Sequence, residues 1–285
     1  MDYLNSIILG IIQGVTEFLP ISSSGHLFLA HQWLGFDLAD NLAFDVFLHV
    51  GTLFALLIFF AKDICRLFKA WITSLCRWRV KTDADQKLAW LIILGCVPAG
   101  LVGFFGETWL EKNFYGAVSV AAMLIIVGLL MLLVERWAKQ NKTIEQLTWR
   151  KTLMIGVGQA LALIPGVSRS GITIIAGMSL GLKREAAARF SFLLAIPIVA
   201  AAAVKKLLDY VNAINISAGI TIDGGLEIHR ATNELALFII GGLAAAVVGW
   251  LSIKVLLQFL ARYPLNVFAY YRIVLGLIIL ALFIF

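Results

Sequence analysis

Six stretches of this chain, roughly 43–61, 88–106, 117–134, 188–207, 235–259 and 267–285, are long and apolar enough to cross a lipid hydrocarbon core, which takes a helix of about 20 apolar residues. The surrounding composition removes the alternative that they form the core of a soluble protein. Hydrophobic residues make up 61% of the 285 and charged residues 14%, with a mean hydropathy of +0.94. A soluble domain carries roughly 25% charged residues, so most of this surface meets lipid. The predicted fold is an all-α polytopic membrane protein, a single membrane domain over 1–285.

Two further apolar stretches, 5–34 and 152–182, are broken midway. The first is interrupted by Pro20 with Ser22, Ser23, Ser24 and Gly25, the second by Pro165 and Gly166 with Ser168, Arg169, Ser170 and Gly171. Each half is too short to cross, and broken backbone at membrane depth is tolerated only where it is buried in protein or lines a cavity. The reading is therefore six transmembrane helices plus two re-entrant helical hairpins.

Loop charge orients the spans. Segment 62–87 carries Lys62, Arg66, Lys69, Arg77, Arg79, Lys81 and Lys87, and segment 135–151 carries Arg136, Lys139, Lys142, Arg150 and Lys151. Both are expected on the cytoplasmic side, which leaves 107–115 and a long 208–234 loop, with Asp209, Asp223, Glu227 and Glu234, outside. This placement also accounts for the net charge of +6 without nucleic acid as a partner. Cys65, Cys76 and Cys96 show no metal-ligand spacing and read as reduced. The start MDYLNSIILG lacks a basic n-region and a small-residue cleavage site, so no cleaved signal peptide is expected.

Shifting the chain by 146 residues superimposes the two breaks. Gly10, Gln13, Ser22, Ser24, Gly25, Ala30, Leu34 and Gly35 fall on Gly156, Gln159, Ser168, Ser170, Gly171, Ala176, Leu180 and Gly181, and Phe44 falls on Phe190. The units are repeat 1 at about 1–134 and repeat 2 at about 152–285, joined by a cytoplasmic connector, 135–151. Three spans per unit turn the second copy over, giving an inverted-topology repeat. In such repeats the ligand site sits where the broken elements meet near the midplane.

The breaks hold residues that are costly in lipid. Gln13 and Glu17 are four apart and share a helix face. A carboxylate at this depth calls for a cavity, a cation or a partner; its plainest role would be a structural pair with a buried arginine. His26 follows three serines closely, which favours a functional role over core packing. Arg169 stands in a Ser/Gly turn that should open a short helix, where backbone N–H groups and the helix dipole favour an anion. A guanidinium adds donors matched to phosphate oxygens. An acid, an imidazole, hydroxyls and an arginine are the requirements of phosphoryl transfer. No GxxxxGK[ST] motif indicates nucleotide hydrolysis. Asp45 and His49, four apart at the end of the first span, could extend the site or merely pack; Arg272 is expected to anchor the last span; His31 and His229 stand in no constellation; and the glycines of 241–249 read as close helix packing.

QGVTEFLPISSSGH (13–26) and PGVSRSGIT (165–173) resemble the paired signature motifs of the bacitracin-resistance family of undecaprenyl pyrophosphate phosphatases, and the likeness extends to Tyr271-Arg272 before the last span. Gln13 occupies a position where the family often has an acid. The resemblance implies a membrane phosphatase that converts undecaprenyl diphosphate to the monophosphate on the outer (periplasmic) face of the bacterial inner membrane. It thereby recycles the carrier for peptidoglycan synthesis and gives bacitracin resistance. It also implies a divalent cation, Mg2+ or Ca2+. Carried onto this chain, it makes Glu17, Ser23, His26 and Arg169 catalytic. Ser23 attacks the terminal phosphorus and His26 manages the proton or itself attacks, while Glu17 orients His26 or holds the cation. Gln13, Ser22, Ser168, Ser170 and Thr173 bind substrate, Ser168 and Thr173 with Arg169 as a diphosphate clamp. The implied partners are the polyprenyl diphosphate and membrane lipids; whether two copies form a homodimer is not legible. An inverted repeat also suits a lipid-phosphate flippase or transporter, but a binding site alone has no use for a nucleophile beside a proton acceptor.

Overall fold

Backbone groups in lipid must be satisfied locally, and every regular element among the described residues is a helix. The computed structural model describes residues 2–34, 41–114, 116–218 and 226–284, and side chains there except at 2, 32–34, 41–43, 107, 108, 111, 206, 207, 209–218, 226–234 and 284. The order is α1 (Asp2–Thr16), α2 (Ser23–Leu34), α3 (Asn41–Phe59), α4 (Ala61–Cys76), α5 (Ala84–Phe114), α6 (Ala117–Trp137), a single turn at Ile144–Gln146, α7 (Trp149–Leu161), α8 (Arg169–Ser179), α9 (Arg184–Ala218), α10 (Leu226–Leu260) and α11 (Asn266–Ile284). Five helices are long and apolar enough to cross a membrane, and a sixth if α3 and α4, bent by 79° at Phe60, count as one. Large apolar side chains such as Phe104, Phe105, Val247 and Val274 lie exposed on them, as a lipid-facing surface requires.

Each polar break separates two short helices, α1 from α2 and α7 from α8. The connectors differ more from expectation. The charged 62–87 segment is largely helix α4, because Leu67, Ala70 and Ser74, three and four apart, bury one stripe. Helix α5 runs through most of 107–115. The 208–234 stretch is not a long loop: α9 extends to Ala218 and α10 begins at Leu226. The side chains of Asp209, Asp223, Glu227, His229 and Glu234, and Gly35 of the sequence match, lie outside the described residues. The two basic connectors meet at one end of the molecule, where Lys87 Nζ donates to Glu145 O (2.9 Å), Arg189 pairs with Asp63 (2.6 Å) and Arg184 pairs with Glu135.

Close approach of backbones organises the packing. α10 receives α1 and α3, while α5 receives α7, and α6 pairs with α11. A Cβ on Gly10 would stand 2.4 Å from Gly241 O, and one on Gly156 would stand 2.5 Å from Gly95 O. Adding 146 to Gly10 and Gly95 gives Gly156 and Gly241, so the two contacts link positions that correspond under the 146-residue shift. The 241–249 glycines do mediate the close packing their spacing predicts.

The tightest such contact is Gly51, whose added Cβ would fall 2.2 Å from Gly242 O. Gly51→Ala should destabilise the α3–α10 contact by about 1–3 kcal/mol and lower the melting temperature in detergent, whereas Gly100→Ala, with nothing within 4 Å, should not lower it. Equal melting of the two variants would contradict the close approach.

Candidate active site at the meeting of two broken helices

The two breaks are built alike. Ser22 and Ser168, 146 positions apart, hold φ of 77° and 71°, a region that side chains other than glycine's enter only at a cost of about 1–3 kcal/mol. Each then uses its hydroxyl to receive the backbone N–H three residues on: Gly25 N to Ser22 Oγ at 3.4 Å and Gly171 N to Ser168 Oγ at 3.1 Å. This is the N-cap interaction that starts a helix. Ser22 also touches Ser24 (3.3 Å) as Ser168 touches Ser170 (3.2 Å). The breaks are stitched together: Gly166 N donates to Ser24 Oγ (3.3 Å) and Ser170 Oγ donates to Leu19 O (3.2 Å).

Two helices therefore begin at the breaks, α2 with Ser23 and α8 with Arg169, and both first residues turn to one carboxylate. Ser23 Oγ donates to Glu17 Oε2 (2.8 Å) and Arg169 Nη2 donates to Glu17 Oε1 (2.6 Å). Gln13 Nε2 adds a third donor to Oε2 (3.2 Å), and His49 Nε2 lies 3.6 Å from the same oxygen. Glu17 is 8% exposed, and this shell supplies the partners a carboxylate at such depth needs. The pairing of Glu17 with a buried arginine, the plainest of its expected roles, is present. It leaves Arg169 Nη1 and Gln13 Oε1 buried without a hydrogen-bond partner, one donor and one acceptor beside the ion pair.

His26 lies one turn along α2 from Ser23, and the hydrogen bonds of its ring are to Ser22 and Tyr271 rather than to Glu17. Its Nδ1 is 2.7 Å from Ser22 O and its Nε2 is 2.7 Å from the Tyr271 hydroxyl. Arg272, expected as an anchor of the last span, is instead fully buried. It donates to Pro20 O (3.3 Å) of the first break, to Gly166 O (2.8 Å) and Val167 O (3.0 Å) of the second, and to Leu124 O (3.3 Å) and Met123 O (3.4 Å) of α6. A Pro-Ser or Pro-Gly break frees carbonyls that a helix would satisfy, and one guanidinium collects them from both sides.

The structure thus gathers Gln13, Glu17, Ser23 and Arg169 around one point, with His49 at its edge and His26 on the adjoining face. Ser22, Ser168 and Ser170 are buried within the turns. Thr173 is also buried, its hydroxyl engaged by Arg169 O (2.7 Å) and Ser191 Oγ (2.6 Å), because it sits one turn inside α8. Asp45 Oδ1 pairs with His31 Nε2 (2.9 Å) rather than with the site. Ser24, Tyr271 and Arg272 are the contributors that residue-type reasoning did not single out for the site. Their only signals were the serine run and the Tyr-Arg pair.

Fold and site together define a multi-pass membrane protein with a hydroxyl, a carboxylate and a guanidinium gathered at two helix N-termini in its interior. The chain belongs to the BacA family: residues 6–278 match the family described as bacitracin resistance protein BacA. It is similar to proteins named undecaprenyl-diphosphatase. It is 43% identical over 287 residues to one from Thermodesulfovibrio yellowstonii (100% of this chain, 99% of that one) and 42% identical over 280 residues to one from Alteromonas mediterranea (98% of each). A third, from Rubrobacter xylanophilus, is 41% identical over 283 residues (99% of this chain, 98% of that one).

Replacing Arg272 by Met keeps much of its bulk and strands carbonyls of both breaks. Each unsatisfied buried group costs about 1–3 kcal/mol, so Arg272→Met should lower the detergent melting temperature by more than Gly51→Ala does. A variant that melts with the wild type would show that the carbonyl knot does not hold the breaks.

Proposed function

We propose that this chain is an integral-membrane phosphatase that hydrolyses undecaprenyl diphosphate to undecaprenyl phosphate and inorganic phosphate. The observation that carries the reading is the Ser23 hydroxyl hydrogen-bonded to the Glu17 carboxylate, with Arg169 on the other oxygen. A hydroxyl on a buried base is an activated nucleophile, and a guanidinium with a free Nη1 is a ready donor to phosphate oxygen. The names of the 41–43% identical relatives supply the lipid.

In this mechanism the diphosphate lies at the N-termini of α2 and α8, whose dipoles favour an anion. Arg169 Nη1 grips a phosphate oxygen. Ser23 Oγ forms a bond to the terminal phosphorus, its proton passes to Glu17, and the bridging P–O bond breaks with its electron pair leaving on undecaprenyl phosphate. Water then cleaves the phosphoserine and releases phosphate. His26 is assigned to proton handling in that second step. Ser22, Ser168, Ser170 and Thr173 shape the turns that bind the substrate.

A divalent cation suits the oxygens present. Among the described residues no group of three or more His, Cys, Asp or Glu side chains forms a protein cage. Yet Mg2+ is commonly held by one or two carboxylates plus substrate phosphates, and Glu17 with the partnerless Oε1 of Gln13 offers that kind of donor set. Bound there, the ion would neutralise charge on the diphosphate.

The membrane layout extends the reading. Six spans with two re-entrant hairpins, repeat 1 at about 1–134 and repeat 2 at about 152–285, form an inverted-topology pair. The matching turns at Ser22 and Ser168 and the matching glycine contacts support this. The basic end formed by 62–87 and 135–151 faces the cytoplasm of the inner membrane, and the site opens to the periplasmic side. Hydrolysis there recycles the lipid carrier of peptidoglycan synthesis and confers bacitracin resistance.

Reconstituted wild-type protein should release phosphate from undecaprenyl diphosphate. Arg169→Ala should lower the rate by about 10²–10³-fold, the worth of one transition-state donor, and Ser23→Ala by at least as much. Lipid movement without phosphate release would favour a flippase, and full turnover by Ser23→Ala would hand the attack to His26.

A further inference from the structure

The hydroxyl of Tyr271, on α11, hydrogen-bonds His26 on α2. A carbonyl only accepts, so the 2.7 Å contact with Ser22 O places a proton on His26 Nδ1. In the neutral ring Nε2 is then an acceptor, and Tyr271 O–H donates to it at 2.7 Å. The two rings lie parallel, 6° apart in plane with centroids at 5.6 Å. The imidazole is thus held at both nitrogens, once from its own helix and once from α11. Position 272 makes the second hold rigid: the neighbouring Arg272 is 0% exposed and is tied to the carbonyls of Pro20, Gly166 and Val167. The residue beside it is therefore placed by the same backbone that forms the two breaks. Ser22, which supplies the other hold, is itself pinned at positive φ in the first break.

We propose that Tyr271 is a positioning residue for the reaction: its hydroxyl fixes the tautomer and ring orientation of His26, one turn from Ser23, and Arg272 sets Tyr271 in place. The inference rests on the phosphatase reading. The plain alternative is that Tyr271, 45% exposed, is an interface aromatic of the kind common at membrane edges, in which case its ring matters and its hydroxyl does not.

The test is phosphate release from undecaprenyl diphosphate by the full-length protein in vesicles, with Tyr271→Phe, Tyr271→Ala and, as a control on the adjacent exposed ring, Tyr270→Phe. Tyr271→Phe keeps the stacked ring and loses only the O–H. It should lower kcat about tenfold, the worth of one hydrogen bond, with KM within about twofold and an unchanged melting temperature. Tyr271→Ala should be at least as impaired, and Tyr270→Phe should match the wild type. Wild-type kcat in Tyr271→Phe overturns the proposal, whether or not Tyr271→Ala is impaired. A fall in melting temperature that accounts for the lost activity overturns it as well. A wild-type protein that releases no phosphate counts instead against the phosphatase reading itself.

Discussion

One carboxylate holds this site together. Glu17 accepts from the first residue of α2 and the first residue of α8 on its two oxygens, and those residues, Ser23 and Arg169, are 146 positions apart. Isolated in lipid, the glutamate would be several kcal/mol too costly to keep. With a hydroxyl, an amide and a guanidinium around it, the same charge joins the two breaks. What satisfies the carboxylate also places the Ser23 hydroxyl and the Arg169 guanidinium on its two oxygens.

The breaks need their own support, because each separates two helices and exposes carbonyls. Arg272 meets that need from α11 by collecting carbonyls of both. The strained serines at 22 and 168 cap the helices that follow. Around this centre the helices approach closely, and a Cβ on Gly10, Gly51 or Gly156 would fall on the carbonyl of Gly241, Gly242 or Gly95, so no larger residue fits at those three positions without moving a backbone. Polar centre and small-residue seams are linked, since α1 and α7 carry the breaks and pack through these glycines.

Much of this was legible in the sequence, and for physical reasons. Proline, glycine and serine interrupt apolar runs unmistakably, so the breaks separating α1 from α2 and α7 from α8 could be located. Ser22 and Ser168 could be matched because both turns demand the same small hydroxyl. Ionisable residues are rare enough in apolar runs that Glu17 and Arg169 stood out. The contributions of Tyr271 and Arg272 could not be read so directly: they sit at the head of an ordinary span, and only tertiary contact separates a buried knot from an interfacial anchor. The same holds for His49, whose approach to Glu17 depends on how α3 leans on α1. Helix α4 was obscured by its charges, which line the exposed face of an amphipathic helix, and the ends of α9 and α10 by acidic residues that helices tolerate outside the bilayer.

The joint action of the two breaks through Glu17 is tested most directly by a double-mutant cycle on phosphate release, using Glu17→Gln, Arg169→Gln and the double variant. Groups that act as one unit are strongly non-additive. The double variant should therefore lose little more kcat/KM than the worse single one. Losses that multiply across the two positions would show that Glu17 and Arg169 act separately and would contradict a single site shared between the halves.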